Sequence, residues 1–271
     1  MSLDWSSYGS RELRIEEVFK LCQLPKHWGW VEGMYLAGND DKIALRFLHC
    51  HCYEPVTREL WKRLCNKAEC VIDVGAHTGV FSLDAFRSGA KQVLSIEPHP
   101  VNFSRLVMNL RYNNFPCSGC FFGAAGEENK TSHLLVKEMF LPHAAGRMEL
   151  HNKNGSEFPV NVSRLDQLLA PGLWPLIRVI KIDAENWTGK VLSGMWKILD
   201  HKPDLIIECT MEGLDVLLKP LGYKFWTIWE TGRIEEVEGL HPFDPQKEYN
   251  GTHQDCRNRF ASVRDLPDAV V

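Results

Sequence analysis

The sequence predicts an α/β fold with a mostly parallel central sheet, helices on both faces and antiparallel strands at its C-terminal end. From Cys70 onward, short apolar runs alternate with amphipathic segments of helical spacing, which is typical of β-α-β units. Four runs are apolar almost throughout, as strands covered on both faces must be: CVIDV, VLSI, IRVIKI and DLIIEC. We expect these four runs to form the central strands.

The residues before this pattern predict an N-terminal extension over 1–66, ahead of a main domain over 67–271. Within the extension the apolar spacing predicts a helix over 12–24, a strand over 42–51 and a helix from Thr57 to Leu64. The extension therefore carries both helical and strand-forming segments.

The segments around the later central strands complete the fold. Residues 123–162 are rich in polar turns and predict a strand extension or a mobile flap beside the main sheet, followed by a short helix at VSRLDQLL. A helix over 211–223, ended by Gly222, should follow the fourth central strand. The expected antiparallel strands come last, at YKFWTIWE, TGRIEEVEG and CRNRFASV.

Composition excludes several classes of protein. A chain of 271 residues that is 44% hydrophobic and 24% charged is globular, not disordered or collagenous. Its net charge of -4 gives no chain-wide positive field, so a general nucleic-acid binder is disfavoured. No run reaches the roughly 18–20 apolar residues of a membrane helix, and the N-terminus lacks a signal-peptide pattern. We expect a cytoplasmic chain without a membrane partner.

Cysteines and glycosylation sequons point to opposite compartments. Nine cysteines, an odd number scattered through core-like segments, fit reduced thiols. Six N-glycosylation sequons nevertheless leave a secretory alternative. The acceptor residues are Asn102, Asn129, Asn154, Asn161, Asn186 and Asn250.

The sharpest local motif is a strand, a glycine turn and a helix starting at Asp73, with glycines at 75 and 79. Such a turn lets backbone N–H groups approach a ligand at a helix N-terminus. The next strand ends in Glu97, about 20 residues further on, where an acid can bind both ribose hydroxyls. Neither GxGxxG nor GxxxxGKS is present, so a dinucleotide and a nucleoside triphosphate fit poorly. The ligand that fits best is S-adenosylmethionine.

The same segments resemble the FkbM-type methyltransferases. The similarity is carried by VIDVGAHTGVF, by LSIEPHPVNF, and by the later VSRLDQLL, IRVIKIDAENWTGKVLSG and PDLIIEC, in the family's order over roughly residues 53–263. The resemblance implies a class I, Rossmann-like methyltransferase domain, here 67–271, that uses S-adenosylmethionine and usually methylates an oxygen.

Carried over by position, the resemblance assigns site residues. The cradle for the methionine and its backbone groups would comprise Asp73, Gly75, His77, Thr78 and Gly79. Glu97 would hold the ribose, and Asp183 would lie near the transferring methyl. The nucleoside side would be lined by Pro98, His99 and Asn102, with Ala124 and Ala125 beside the adenine.

One motif departs from the family. Where the family usually reads D-x-E-G-x-E, this chain has Asn186 in place of the glycine and Thr188 in place of the second acid. Either the acceptor differs from that of typical members, with Trp187 as an apolar or stacking wall, or catalytic power is reduced. The sequence leaves both alternatives open.

Methylation of a hydroxyl requires a group that removes its proton. The candidates at carboxyl ends of expected strands are Asp183, Glu185 and Glu208, with His143 on the polar segment as an outside candidate. Lys181 shares a strand face with Asp183 and could pair with it; alternatively, Lys181 and Glu208 form a charge pair across neighbouring strands.

Metal sites are expected to be absent. A strand holding His49-Cys50-His51-Cys52 would point its ligand types to both faces, and Cys117-x-x-Cys120 stands without a second pair. The three candidate acids could together hold magnesium, but carboxylates alone do not establish it.

The sequence thus predicts a methyltransferase that acts on a hydroxyl of a small-molecule or sugar-containing acceptor. Trp28, Trp30 and Trp187 keep a carbohydrate or aromatic acceptor open, since aromatic walls bind sugar faces. The alternatives are a glycan or RNA acceptor and a catalytically weak, cofactor-binding scaffold. The oligomeric state stays open.

Overall fold

The computed structural model describes residues 27–31, 33–38, 53–136, 147–148, 156–242 and 257–267. The helix expected over 12–24, the strand expected over 42–51, the motif at 49–52 and His143 lie outside the described residues. Of Trp28 and Trp30 only the backbone is described, in the first strand.

The described strands follow one another as β1 (His27–Val31), β2 (Met34–Gly38), β3 (Cys70–Val74), β4 (Gln92–Glu97), β5 (Cys120–Phe122), β6 (Ala124–Ala125), β7 (Lys130–Val136), β8 (Arg147–Met148), β9 (Ser156–Ser163), β10 (Ile177–Ile182), β11 (Asp204–Glu208), β12 (Lys224–Trp229), β13 (Arg233–Val237) and β14 (Asn258–Ser262). The described α-helices are α1 (Pro55–Cys65), α2 (Val80–Arg87), α3 (Pro100–Tyr112), α4 (Leu165–Leu168), α5 (Thr188–Ser193), α6 (Trp196–Leu199) and α7 (Leu214–Leu218). None of these helices is long and apolar enough to span a bilayer.

The described strands form one large sheet in the order β13-β12-β14-β11-β10-β3-β4-β5. Strands β11, β10, β3, β4 and β5 run parallel, whereas β14, β12 and β13 pair antiparallel. The four expected central strands and the antiparallel C-terminal strands are confirmed. Because the parallel strands are in register, their carboxyl ends meet at one edge of the sheet.

Apolar side chains cover the sheet on both faces. On one face, Leu60, Trp61 and Leu64 of α1 pack with Val71 and Val179 in a single buried cluster. On the other face, alternate residues of the same strands, among them Ile72 and Ile180, form a second cluster. The division into 1–66 and 67–271 stays a prediction, although α1, placed before that boundary, packs against the sheet.

Residues 123–162 contribute to a second sheet, in which the described strands have the order β6-β9-β7-β8. Alternating apolar residues of β7 and β9, including Leu134, Phe158 and Val160, form its buried face. This sheet is a layer of its own, and its short strand β6 carries Ala124 and Ala125 to the edge of the main sheet.

The helix expected over 211–223 is shorter than the pattern predicts. Only α7 is helical, and a 3₁₀ turn from Lys219 to Leu221 follows it. Pro220 explains the difference, because it has no N–H to continue the helical hydrogen bonds.

Candidate active site

A cavity opens at the carboxyl ends of β3, β4 and β10, where open α/β sheets bind ligands. Two groups of residues form most of its wall. We call the first the β4 end; it comprises Glu97, Pro98, His99 and Asn102 after β4, with Ala124 and Ala125. We call the second the β10 end; it comprises Tyr53, Lys181, Asp183, Glu185 and Trp187.

The glycine turn joins the two ends. Gly75 has a φ of 75°, and a Cβ at this position would lie 1.9 Å from the carbonyl oxygen of Asp183. A side chain is therefore excluded where β3 meets the end of β10. His77 and Thr78 continue the turn and line the cavity.

Gly79 lies outside the cavity wall. Its φ is 94°, and a Cβ would lie 2.7 Å from the Leu106 side chain, so this glycine lets α2 begin close to α3. The structure gives it a packing role, while its predicted contact with a cofactor stays a prediction.

Asp73 also lies behind the wall. Its carboxylate accepts a 2.6 Å hydrogen bond from Ser82, whose hydroxyl is 2.7 Å from that of Ser95. Burial raises the pKa of Asp73, against the lowering effect of Lys181 on the neighbouring strand. This geometry ties β3 to α2 beneath the glycine turn, and a direct cofactor contact by Asp73 stays a prediction.

Glu97 is fixed by main-chain donors. Its two carboxylate oxygens each accept a 2.8 Å hydrogen bond, one from the N–H of His77 and the other from the N–H of His99. Burial raises the pKa of Glu97, while the His77 side chain and the two N–H groups favour its charged form. The Asn102 side chain adds a third hydrogen bond to this carboxylate, which has about four acceptor positions and could therefore still accept one from a ribose hydroxyl.

Next to Glu97, two buried polar atoms lack partners within the described part of the chain. They are Nε2 of His99 and Oδ1 of Asn102, and both residues line the cavity. Such atoms are costly unless a ligand or water satisfies them. Together with Glu97 they fit the polar edges of a nucleoside.

The small residues of β6 form the neighbouring wall of the cavity. Ala124 and Ala125 are buried, and the carbonyl oxygen of Ala125 accepts a 2.9 Å hydrogen bond from the indole N–H of Trp187. This bond links the β4 end to the β10 end. The stacking or apolar wall considered for Trp187 is consistent with its place in the cavity wall.

At the β10 end, Lys181 pairs with Asp183. Their Nζ and Oδ2 atoms are 3.0 Å apart, and Nζ lies 4.4 Å from the centre of the Phe81 ring. Burial opposes the charge of Lys181, but the carboxylates of Asp183, Glu54 and Asp73 together raise its pKa. Of the two pairings considered for Lys181, the structure contains the one with Asp183.

Glu208 is the last residue of β11 and lies beside Asp183, because Ile182 and Ile207 are in register. It does not line the cavity. The charge of Asp183 and burial raise the pKa of Glu208 well above its usual range. Burial also acts to raise the pKa of Asp183, but the charge of Lys181 and the hydrogen bonds from Glu208 and Lys181 together lower it. In this pair the proton therefore resides on Glu208, and Asp183 faces the cavity ionised.

Glu185 lines the cavity from a strained backbone position. Its φ is 51°, and its carbonyl oxygen accepts hydrogen bonds from the hydroxyls of Thr188 at 3.0 Å and Thr210 at 2.7 Å. Thr188, which replaces the family's second acid, is thus buried beneath Glu185 instead of facing the cavity. Asn186, which replaces the glycine, is exposed.

Sequence reasoning missed two site residues just ahead of α1. Tyr53 lines the cavity, and Glu54 beside it accepts a 2.9 Å hydrogen bond from Asn258. Burial and the Glu54 carboxylate raise the pKa of Tyr53. No motif surrounds these residues, so the one available signal was their position at the start of the family resemblance.

No grouping of three or more His, Cys, Asp or Glu side chains suited to a metal occurs among the described residues. Burial raises the pKa of both Cys117 and Cys120. The expected absence of a metal site stays a prediction.

Comparisons with known proteins agree with the sequence motifs. A family model for the methyltransferase FkbM domain matches residues 73–225, which is more than half of the chain. No curated protein matches significantly.

Solved structures with a similar fold have low identity. TYW2 of M. jannaschii in complex with AdoMet is 13% identical with a TM-score of 0.44, over 88% of this chain and 84% of that chain. Cofactor-bound Rv0187 from MTB is 13% identical with a TM-score of 0.38, over 76% of this chain and 80% of that chain. Similarities this distant carry no argument about the substrate. The family match decides the assignment: the chain belongs to the FkbM family of methyltransferases, and its cofactor is S-adenosylmethionine.

Proposed function

We propose that the protein transfers a methyl group from S-adenosylmethionine to a hydroxyl oxygen of a small-molecule or sugar-containing acceptor. The observation that carries this proposal is the Asp183 carboxylate, which lies on the cavity wall with its Oδ2 atom 3.0 Å from Nζ of the buried Lys181. A carboxylate so placed is suited to accept the proton of a neutral hydroxyl.

Asp183 and Lys181 of the β10 end have different roles in the proposed reaction. The bound cofactor supplies an electrophilic methyl group on a sulfonium, and transfer in line needs alignment more than covalent help. Asp183 accepts the hydroxyl proton at a carboxylate oxygen as the oxygen–methyl bond forms. Lys181 holds that carboxylate in place and ionised through its 3.0 Å contact.

The wall of the β10 end favours an uncharged, hydroxylated acceptor. Trp187 and Tyr53 supply aromatic surface, which suits the apolar face of a sugar or a planar ring. Glu185 adds a second hydrogen-bond acceptor beside Asp183. Lys181 is already paired with Asp183, and these carboxylates would repel a phosphate backbone, so RNA is the less favoured acceptor.

The test begins with calorimetric titration of the purified protein with S-adenosylmethionine and S-adenosylhomocysteine. Binding at micromolar concentration is expected, followed by transfer of radiolabelled methyl to hydroxylated metabolites or glycans. No binding at millimolar ligand by a folded chain would refute the cofactor assignment in favour of the scaffold. Transfer only to RNA or to amines would refute the acceptor class.

A further inference from the structure

The first turn of α3 presents a histidine in an unusual capping role. His99 is the N-cap of this helix, and its Nδ1 accepts a 3.4 Å hydrogen bond from the backbone N–H of Asn102. Because Nδ1 is an acceptor, a neutral imidazole must carry its proton on Nε2. The helix cap therefore selects the tautomer of the side chain.

The charge state agrees with this geometry. Burial, and secondarily the nearby His77, lower the pKa of His99 to about 3. The ring is then neutral at physiological pH, with a single donor at Nε2. That donor is buried without a partner within the described residues, and His99 is one of the residues that line the cavity. A buried N–H without an acceptor carries a desolvation penalty that a ligand acceptor would remove.

The position of His99 indicates which acceptor it meets. Its backbone N–H donates to Glu97, the carboxylate assigned to the ribose hydroxyls, so residue 99 lies beside the ribose position. N3 is the adenine acceptor nearest the bond to the ribose. We propose that His99 recognises the cofactor's adenine by donating a hydrogen bond from Nε2–H to N3. This inference rests on S-adenosylmethionine being the cofactor.

The experiment combines a change in the ligand with a change in the protein. The ligand is S-adenosylhomocysteine or its 3-deaza analogue, in which a C–H replaces the N3 nitrogen. The protein is wild type or His99→Asn. Asparagine is among the best N-cap residues and retains an oxygen for the Asn102 N–H, but it lacks the imidazole Nε2–H. Calorimetry gives all four affinities, and thermal melting of each protein checks that the cap is retained.

We expect the wild type to bind the 3-deaza analogue about fivefold more weakly than S-adenosylhomocysteine, as the loss of one hydrogen bond implies. His99→Asn should bind the two ligands equally, because the donor is gone. A wild type that binds both ligands equally would overturn the proposal, as would a 3-deaza penalty that persists in the variant. If the variant fails to fold, the two affinities of the wild type still show whether the N3 nitrogen contributes to binding.

These outcomes separate this inference from the assignment of the cofactor. A wild type that binds neither ligand refutes both, whereas equal tight binding of both ligands refutes the role of His99 alone. Nitrogen NMR of the histidine side chains gives an independent readout. We expect His99 protonated at Nε2 before ligand is added and a downfield shift of that proton upon binding. Protonation at Nδ1 in the free protein would contradict the proposal.

Discussion

The two ends of the cavity are held by different kinds of interaction. At the β4 end, backbone N–H groups of the glycine turn and of α3 orient Glu97. At the β10 end, side-chain charges orient one another, with Lys181 between Asp183 and the carboxylates of Glu54 and Asp73. The difference indicates that ligand binding depends on backbone shape at one end, while reactivity depends on side-chain charge at the other.

The largest effect should come from Asp183→Asn. The amide keeps the shape of the side chain but cannot accept the hydroxyl proton, so kcat/KM for the acceptor should fall by about 100-fold or more. Affinity for S-adenosylhomocysteine should stay within about twofold of wild type. Radiolabel transfer and calorimetry measure the two quantities, with the exposed Asp200→Asn as control. Unchanged turnover would exclude Asp183 as the base.

Glu97→Ala should weaken cofactor binding at the β4 end. It removes the assigned ribose acceptor and leaves the N–H groups of His77 and His99 without their partner. We expect affinity for S-adenosylhomocysteine to fall by about 10- to 100-fold. Calorimetry measures this change, and the exposed Glu69→Ala should bind as wild type does. Wild-type affinity in Glu97→Ala would remove the ribose assignment.

Lys181→Met tests whether the charge of Lys181 sets the pKa of Asp183 at the β10 end. Lys181 lowers the pKa of Asp183, so the ionised base is present in wild type down to low pH. Without this cation the pKa of Asp183 rises, and activity should be lost at a higher pH as the solution is acidified. The acid limb of the pH–rate profile should move up by about one unit or more. The exposed Lys197→Met is the control and should leave the profile unchanged. An acid limb that stays in place in Lys181→Met would show that Lys181 does not lower the pKa of Asp183.

The smallest effect is expected from Thr188→Val. This change preserves the volume of a buried side chain but removes the 3.0 Å hydrogen bond that helps to hold Glu185 at positive φ. The KM for the acceptor should rise about threefold to fivefold, while cofactor affinity should not change. Thr227→Val, at a buried position in β12, is the matched control. An equal change in cofactor affinity would contradict the separation of the two ends.

The sequence predicted features that depend on local pattern. The apolar runs of β3, β4, β10 and β11 could be recognised because both of their faces are covered. The pairing of Lys181 with Asp183 followed from the two-residue period of a strand. Eleven of the fourteen predicted site residues line the cavity, since each follows directly from a strand end or turn; the three that lie behind the wall are Asp73, Gly79 and Glu208.

The features that sequence reasoning missed depend on distant parts of the chain. Tyr53 reaches the cavity because α1 packs against the sheet, and Asn258, the hydrogen-bond partner of the neighbouring Glu54, is about 200 residues away. The partition of the proton between Asp183 and Glu208 depends on burial and on Lys181 together, and no pattern in the sequence reports burial of that kind. The second sheet required pairing between β7 and β9 across an intervening segment of the chain.

Main-chain anchoring of Glu97 also affects which sequences this site tolerates. Every residue except proline supplies a backbone N–H at position 77, so the anchoring of the ribose-binding carboxylate does not depend on the side chain at that position. Its φ of 50° limits that freedom mainly to residues that accept a left-handed backbone, such as Asn, Asp, His and Gly. Acceptor preference can diversify through the side chains of the β10 end while the anchoring of the cofactor is inherited unchanged.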